Sequence, residues 1–179
     1  MDWKRQINKS WTLFLDRDGV INVRLIDDYV KKIEEFEFLP GVLDAFKIFA
    51  DKFSHIIIVT NQQGVGKGLM TLHDVDAVHE FMKKEIESRK GRIDAIYSCP
   101  QLKSDPDNYR KPSPKMAFMA QHDFPDIDFD KSIMIGDSNS DIEFGKNAGM
   151  FTILIGDEPV KCKPDSHFES LVKFANILK

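Results

Sequence analysis

Two carboxylates separated by one residue, Asp16 and Asp18, close the apolar run Trp11 to Leu15 and are followed at once by Gly19. On a continuing strand both would point the same way, and the glycine lets the backbone turn just beyond them, so the side chains can converge on one small volume. Like charges that close do not both stay ionised without help. They need a shared proton or a divalent cation. Hard oxygen ligands in this number favour Mg²⁺, which keeps several waters and binds one or two carboxylates together with substrate phosphate oxygens. Taken alone, Asp-x-Asp-Gly is as readily a solvated turn after a strand.

Three further groups could act on a phosphate. Thr60-Asn61 ends a β-branched run, where a hydroxyl and an amide can hydrogen-bond a phosphoryl group or simply begin a turn. Arg110-Lys111 offers a planar fork beside a point charge, with a solvated basic pair as the bland alternative. Asp137 follows Gly136, and Asp141 falls four residues on, in the first turn of the next helix. There Asp141 can hold a metal-bound water, orient Lys111 or complement the helix dipole. Gly64-Val65-Gly66-Lys67-Gly68 is not a Walker A loop, because Asn61 stands where the first glycine belongs and Gly68 replaces the Ser or Thr. It reads as a flexible loop with Lys67 in reach of a substrate.

The elements that must position these groups follow from periodicity. Trp11–Leu15, His55–Thr60, Ile93–Ser98, Ser132–Ile135 and Phe151–Ile155 read as strands, the run at Trp11 as a buried parallel strand and that at His55 as one covered on both faces. Helices are expected over Val42–Lys52, about Thr71–Arg89 with Thr71 or His73-Asp74 as cap, Pro114 to about His122, Asp141–Ala148 and Phe168–Leu178. Asn22–Phe38 reads as an irregular flap or short hairpin over the site, and Cys99–Pro114 as a long functional or mobile loop. Alternating strands and helices predict a parallel α/β sheet, with the motif-bearing ends of strands one, two and four together at its carboxyl edge.

In this order and context the motifs Asp16-Arg17-Asp18-Gly19, Thr60-Asn61-Gln62, Arg110-Lys111-Pro112 and Gly136-Asp137 resemble the four motifs of the haloacid dehalogenase (HAD) superfamily of phosphohydrolases. The resemblance implies a three-layer Rossmann-like HAD fold with a central parallel sheet of about five strands, and no segment here is large enough for a cap domain. It implies Asp16 as the nucleophile that becomes an aspartyl-phosphate and Asp18 as general acid and later base, a role that a raised pKa would favour near neutral pH. Asp137 would complete the Mg²⁺ site with Asp16 and the main-chain carbonyl of Asp18. Thr60, Asn61, Lys111, Arg110 and Lys67 would hold the phosphate ester.

Asp16 to Asn22, Thr60 to Gly64, Tyr97-x-Cys99-Pro100 and Arg110-Lys111-Pro112 are together similar to the heptose-bisphosphate and histidinol-phosphate phosphatases. D-glycero-D-manno-heptose 1,7-bisphosphate is the first substrate expected and histidinol phosphate the second. Thr60 to Gly64 also resembles the polynucleotide 3′-phosphatases, and a phosphate-binding module without turnover is the reading from another class. Many of the group hold a structural zinc with Cys-x-His and Cys-x-Cys. Only Cys99 matches here; Gln101, Asp107 and Tyr109 take the other places, so no structural zinc is expected. Ser138 stands where heptose-bisphosphate enzymes often carry a lysine.

At 179 residues with a net charge of -4, one α/β domain over 1–179 is expected, without the basic field that nucleic-acid binding favours. No run approaches the ~20 apolar residues of a membrane span. A monomer in the cytoplasm, with its two cysteines reduced, is the expected state.

Overall fold

The computed structural model describes residues 6–179. Six parallel strands, β1 (Thr12–Leu15), β2 (His55–Asn61), β3 (Ala95–Cys99), β4 (Ser132–Gly136), β5 (Phe151–Ile155) and β6 (Ser166–Phe168), form one sheet in the order β3-β2-β1-β4-β5-β6. The helices are α1 (Val42–Lys52), α2 (Leu72–Ser88), α3 (Lys115–Asp123), α4 (Asn139–Ala148) and α5 (Leu171–Asn176).

Strand alternation divides the core in two. Leu13, Leu15, Ile56, Ile58, Ile133, Ile135, Ile153 and Ile155 face one side and pack with α1, α2 and α5 through Phe46, Phe49, Met82, Ile86 and Phe174. Phe14, Ile57, Val59 and Met134 face the other and meet Met116, Ala117 and Ala120 of α3 and Phe144 of α4. Every strand residue between Ile56 and Val59 is therefore buried, which is why that run is uniformly apolar.

Register sets the site. Leu15, the last residue of β1, lies opposite Ile58 on one side and Ile135 on the other, so β4 runs on to Gly136 and β2 to Asn61 beyond the end of β1. The Asp16 amide still donates to the Ile135 carbonyl at 2.9 Å, carrying the ladder one residue further. The chain winds outward from β1 to β2 and β3 on one side and to β4 on the other, and the crevice at that switch is where open α/β sheets place ligands.

Two expectations need correction. The sheet has six strands, not about five, because Ser166–Phe168 adds to β5; three residues with one apolar side chain give no readable strand period. The last helix consequently starts at Leu171 rather than Phe168, where the Ser170 hydroxyl accepts from the Lys173 amide at 3.3 Å. Of the two readings of Asn22–Phe38, the irregular flap is the one found. It holds an isolated antiparallel bridge between Asn22 and Phe38 and a single 3-10 turn at Ile33–Glu35, with Phe36 and Phe38 packed on Phe81 of α2. Thr71 does cap α2, in a reciprocal box with Asp74. Among the described residues no helix is long and apolar enough to cross a membrane.

Phe49 is fully buried, its ring 5.7 to 5.9 Å from those of Phe46, Phe53 and Phe174, so it joins α1 to the terminal helix. Phe49→Ala should cost about 3–5 kcal/mol in urea unfolding; a loss under ~1 kcal/mol would show that the α1–α5 layer is not packed as described.

Candidate active site

Asp16, Asp18, Asn61, Lys67, Arg110, Lys111, Asp137 and Asp141 all line one cavity of about 520 Å³ above the carboxyl ends of β1, β2 and β4. Thr60 does not. It is fully buried behind the wall, where its hydroxyl accepts from the Gln62 side-chain amide at 2.9 Å.

Lys111 is the hub. Its ammonium, on a side chain only 2% exposed, stands 2.7 Å from Asp16 Oδ1 and 2.6 Å from Asp141 Oδ1. Asn61 holds the lysine backbone by accepting from the Lys111 amide at 2.9 Å and donating to its carbonyl at 3.2 Å. Burial works against the ammonium, yet Asp141 and Asp16 outweigh it and raise its pKa, so Lys111 stays a cation. Asp141 is fully buried and splits its two oxygens. Oδ2 accepts from the Ser138 amide at 3.1 Å and the Ser138 hydroxyl at 2.6 Å at the start of α4, and Oδ1 faces Lys111. Capping and orientation of Lys111, alternatives in the sequence, are here one arrangement.

Carboxylate oxygens of Asp16, Asp137 and Asp141 lie within 4.8 Å of one another, a hard donor set of the kind a small divalent cation takes. The backbone is shaped to permit this. A Cβ on Gly19, whose φ is +84°, would sit 1.9 Å from Asp137 Oδ2, and one on Gly136 would sit 2.0 Å from the Asp141 Cβ. Burial, then Asp141, raise the Asp16 pKa to about 8 against the pull of Lys111, and burial with Asp141 raises Asp137 to about 6.

Asp18 differs. Its carboxylate is absent from that cluster, and the metal contact expected of Asp18 is through its main-chain carbonyl; Asp141, expected behind the metal residues, is inside it. The carboxylate accepts from Arg17 Nη2, Asn22 Nδ2 and Gln62 Nε2, each at 3.0 Å. Burial pushes its pKa up, but the Arg17 charge and these bonds win and lower it, contrary to the raised value expected of an acid catalyst. Arg17 is fully buried and also bonds His79 at 3.1 Å. Burial and Arg17 lower His79 to about 3, so its ring stays neutral and accepts from the guanidinium.

Sequence reasoning missed several cavity residues. Arg24 of the flap reaches Asp137 at 3.4 Å and Glu158 at 2.9 Å, and Tyr29 lies with its ring centroid 5.3 Å from the Lys67 ammonium. Neither belongs to a motif, and a flap without periodicity carries no signal of which side chain turns inward. The support of Asp18 by Asn22 and Gln62 was within reach, since both stand inside the quoted motifs.

A HAD-hydrolase-like family model matches residues 108–165. A D-glycero-α-D-manno-heptose-1,7-bisphosphate 7-phosphatase from Mycobacterium bovis is 38% identical over 171 residues, covering 93% of this chain and 90% of its own. One from Campylobacter jejuni is 37% identical, covering 96% of this chain and 97% of its own. The crystal structure of a D,D-heptose 1,7-bisphosphate phosphatase from B. bronchiseptica, complexed with magnesium and phosphate, superposes with a TM-score of 0.82 at 28% identity, covering 94% of this chain and 97% of that one.

The raised carboxyls fix a pH dependence. Between the ordinary 3.8 and about 8 the folded protein keeps on Asp16 a proton that the unfolded chain has lost. Its contribution to stability is therefore greatest below that window and declines as pH rises through it. The melting temperature of metal-free protein should fall by about 5 °C or more from pH 5 to pH 8, and a divalent cation should raise it more at pH 8 than at pH 5. A cation effect independent of pH would contradict the clustering of the acids.

Proposed function

Because the chain belongs to the HAD-like hydrolases, in the family of the heptose-1,7-bisphosphate 7-phosphatases, we propose that it is a Mg²⁺-dependent phosphomonoesterase that removes the 7-phosphate of D-glycero-D-manno-heptose 1,7-bisphosphate. The α anomer is its first substrate, as in the names of the Mycobacterium and Campylobacter relatives. The observation that best supports this reading is the convergence of Asp16, Asp137 and Asp141 on one point beside the buried Lys111.

Asp16 is the nucleophile. Its carboxylate oxygen bonds to phosphorus as the bond from phosphorus to the sugar oxygen breaks, giving an aspartyl-phosphate. Asp18 gives its proton to the departing sugar oxygen, then takes one from the water that attacks phosphorus, which releases inorganic phosphate and restores Asp16. The bonds from Arg17, Asn22 and Gln62 suit Asp18 to the second role. An incoming phosphate dianion adds negative charge beside it and raises its proton affinity for the first.

Lys111, fixed between Asp141 and Asp16, holds a phosphoryl oxygen, assisted by Asn61, while Thr60 supports Gln62 from behind the wall. Asp16, Asp137 and the main-chain carbonyl of Asp18 would hold Mg²⁺, and the Asp141 carboxylate lies close enough to join them. When bound, that ion neutralises the clustered acids and the charge developing on the phosphoryl oxygens. Arg110 and Lys67 receive the remainder of the substrate, including its second phosphate. The enzyme acts as one phosphohydrolase unit and a monomer, in the cytoplasm, without nucleic acid. The net charge of -4 and two unpaired cysteines support that setting.

Phosphate release with Mg²⁺ from heptose 1,7-bisphosphate, histidinol phosphate and a 3′-phosphorylated oligonucleotide tests the assignment. The bisphosphate should lead by about 100-fold or more in kcat/KM, and equal or better use of histidinol phosphate would overturn the substrate. Asp16→Asn should lower kcat by about 10³-fold or more while Mg²⁺ still shifts the melting temperature. An Asp16→Asn enzyme of ordinary activity would remove the nucleophile from the scheme.

A further inference from the structure

One side chain outside the four motifs joins the loop after β2 to the loop after β3. The Gln63 side-chain oxygen accepts from the Lys103 amide at 2.7 Å and from Arg110 Nη1 at 2.7 Å. Both partners can only donate, so the oxygen, not the amide nitrogen, must face them, and both of its lone pairs are used. The main-chain carbonyl of the same residue accepts from the Lys67 amide at 3.0 Å, and the two loops meet again where the Gly66 amide donates to the Pro100 carbonyl at 3.0 Å. Arg110 is a loop residue whose amide reaches Asn108 Oδ1 at 3.3 Å, and it lines the cavity.

We propose that Gln63 is a positioning residue that aims Arg110 into the cavity, and that this pair gives the enzyme its preference for substrates carrying a second phosphate. The inference rests on the phosphatase reading above and extends it to the choice of substrate. A guanidinium has five donors in a fixed fork, so giving one to Gln63 leaves enough for a bidentate grip on an anion. A long side chain on a loop otherwise loses rotamer freedom when it binds, and holding it beforehand removes that cost from binding. The Gln63 side-chain oxygen serves Arg110 and the Lys103 amide, and Gln63 is not among the cavity-lining residues, so its effect should reach only ligands that need Arg110.

A double-mutant cycle over Gln63→Leu, Arg110→Ala and the pair separates this from a merely structural role. With heptose 1,7-bisphosphate, Gln63→Leu should raise KM about 10-fold with kcat within about 2-fold, and turnover of p-nitrophenyl phosphate should stay within about 2-fold. In the Arg110→Ala background the same change should raise KM less than about 2-fold. The inference is overturned if Gln63→Leu leaves KM for the bisphosphate unchanged, if its cost is the same with and without Arg110, or if p-nitrophenyl phosphate suffers equally. Those outcomes appear only in the variants. Failure of the underlying reading appears instead in the unmodified enzyme, as no preference for bisphosphate over p-nitrophenyl phosphate, and overturns the inference with it.

Discussion

Three carboxylates and one ammonium share the space above the ends of β1 and β4, and their mutual repulsion is the constraint the rest of the structure serves. Confined this closely, Asp16, Asp137 and Asp141 favour any cation that can enter and disfavour the metal-free fold at neutral pH. The sheet makes the confinement affordable, because parallel register brings residues far apart in sequence to one edge without exposing the backbone that carries them. Lys111 offsets part of the charge at a fixed position, leaving room for one further cation. The two glycines at 19 and 136 matter for the same reason: a methyl group at either would occupy the space that a carboxylate needs.

Asp18 stands two residues beyond Asp16, outside this cluster and in another electrostatic setting. Arg17, Asn22 and Gln62 all donate to it, and Arg17 is itself held by a neutral buried histidine on α2. Two carboxylates separated by a single residue thus meet opposite fields, one raised in pKa and the other lowered. Such a separation is the usual physical basis for giving neighbouring acids different tasks.

Much of this was legible in the sequence, for identifiable reasons. Strands β1, β2, β4 and β5 are short apolar runs buried on both faces, and the acids that end β1 and β4 break those runs abruptly. That Asp141 orients Lys111 was one of three readings open at that position, and the buried contact between them singles it out. Short or irregular features were not readable. β6 has one apolar residue and depends on its neighbour, so tertiary pairing rather than local pattern makes it a strand. Arg24 and Tyr29 enter the cavity from a flap whose path is set by an isolated bridge and an aromatic cluster around Phe81. Thr60 was readable as a strand end, but which way its hydroxyl faces depends on Gln62, two residues further on. The lowered pKa of Asp18 depends on Arg17, whose burial no sequence pattern announces.

The central claim is that these acids gather so that Asp16 itself accepts the phosphoryl group. Hydroxylamine quenching of the enzyme during turnover, followed by peptide mass mapping, tests it most directly, since an acyl phosphate reacts to leave a hydroxamate on the residue that carried it. The account predicts that mark on Asp16, dependent on both substrate and Mg²⁺. A hydroxamate on another carboxylate, or none while phosphate is being released at full rate, would contradict it.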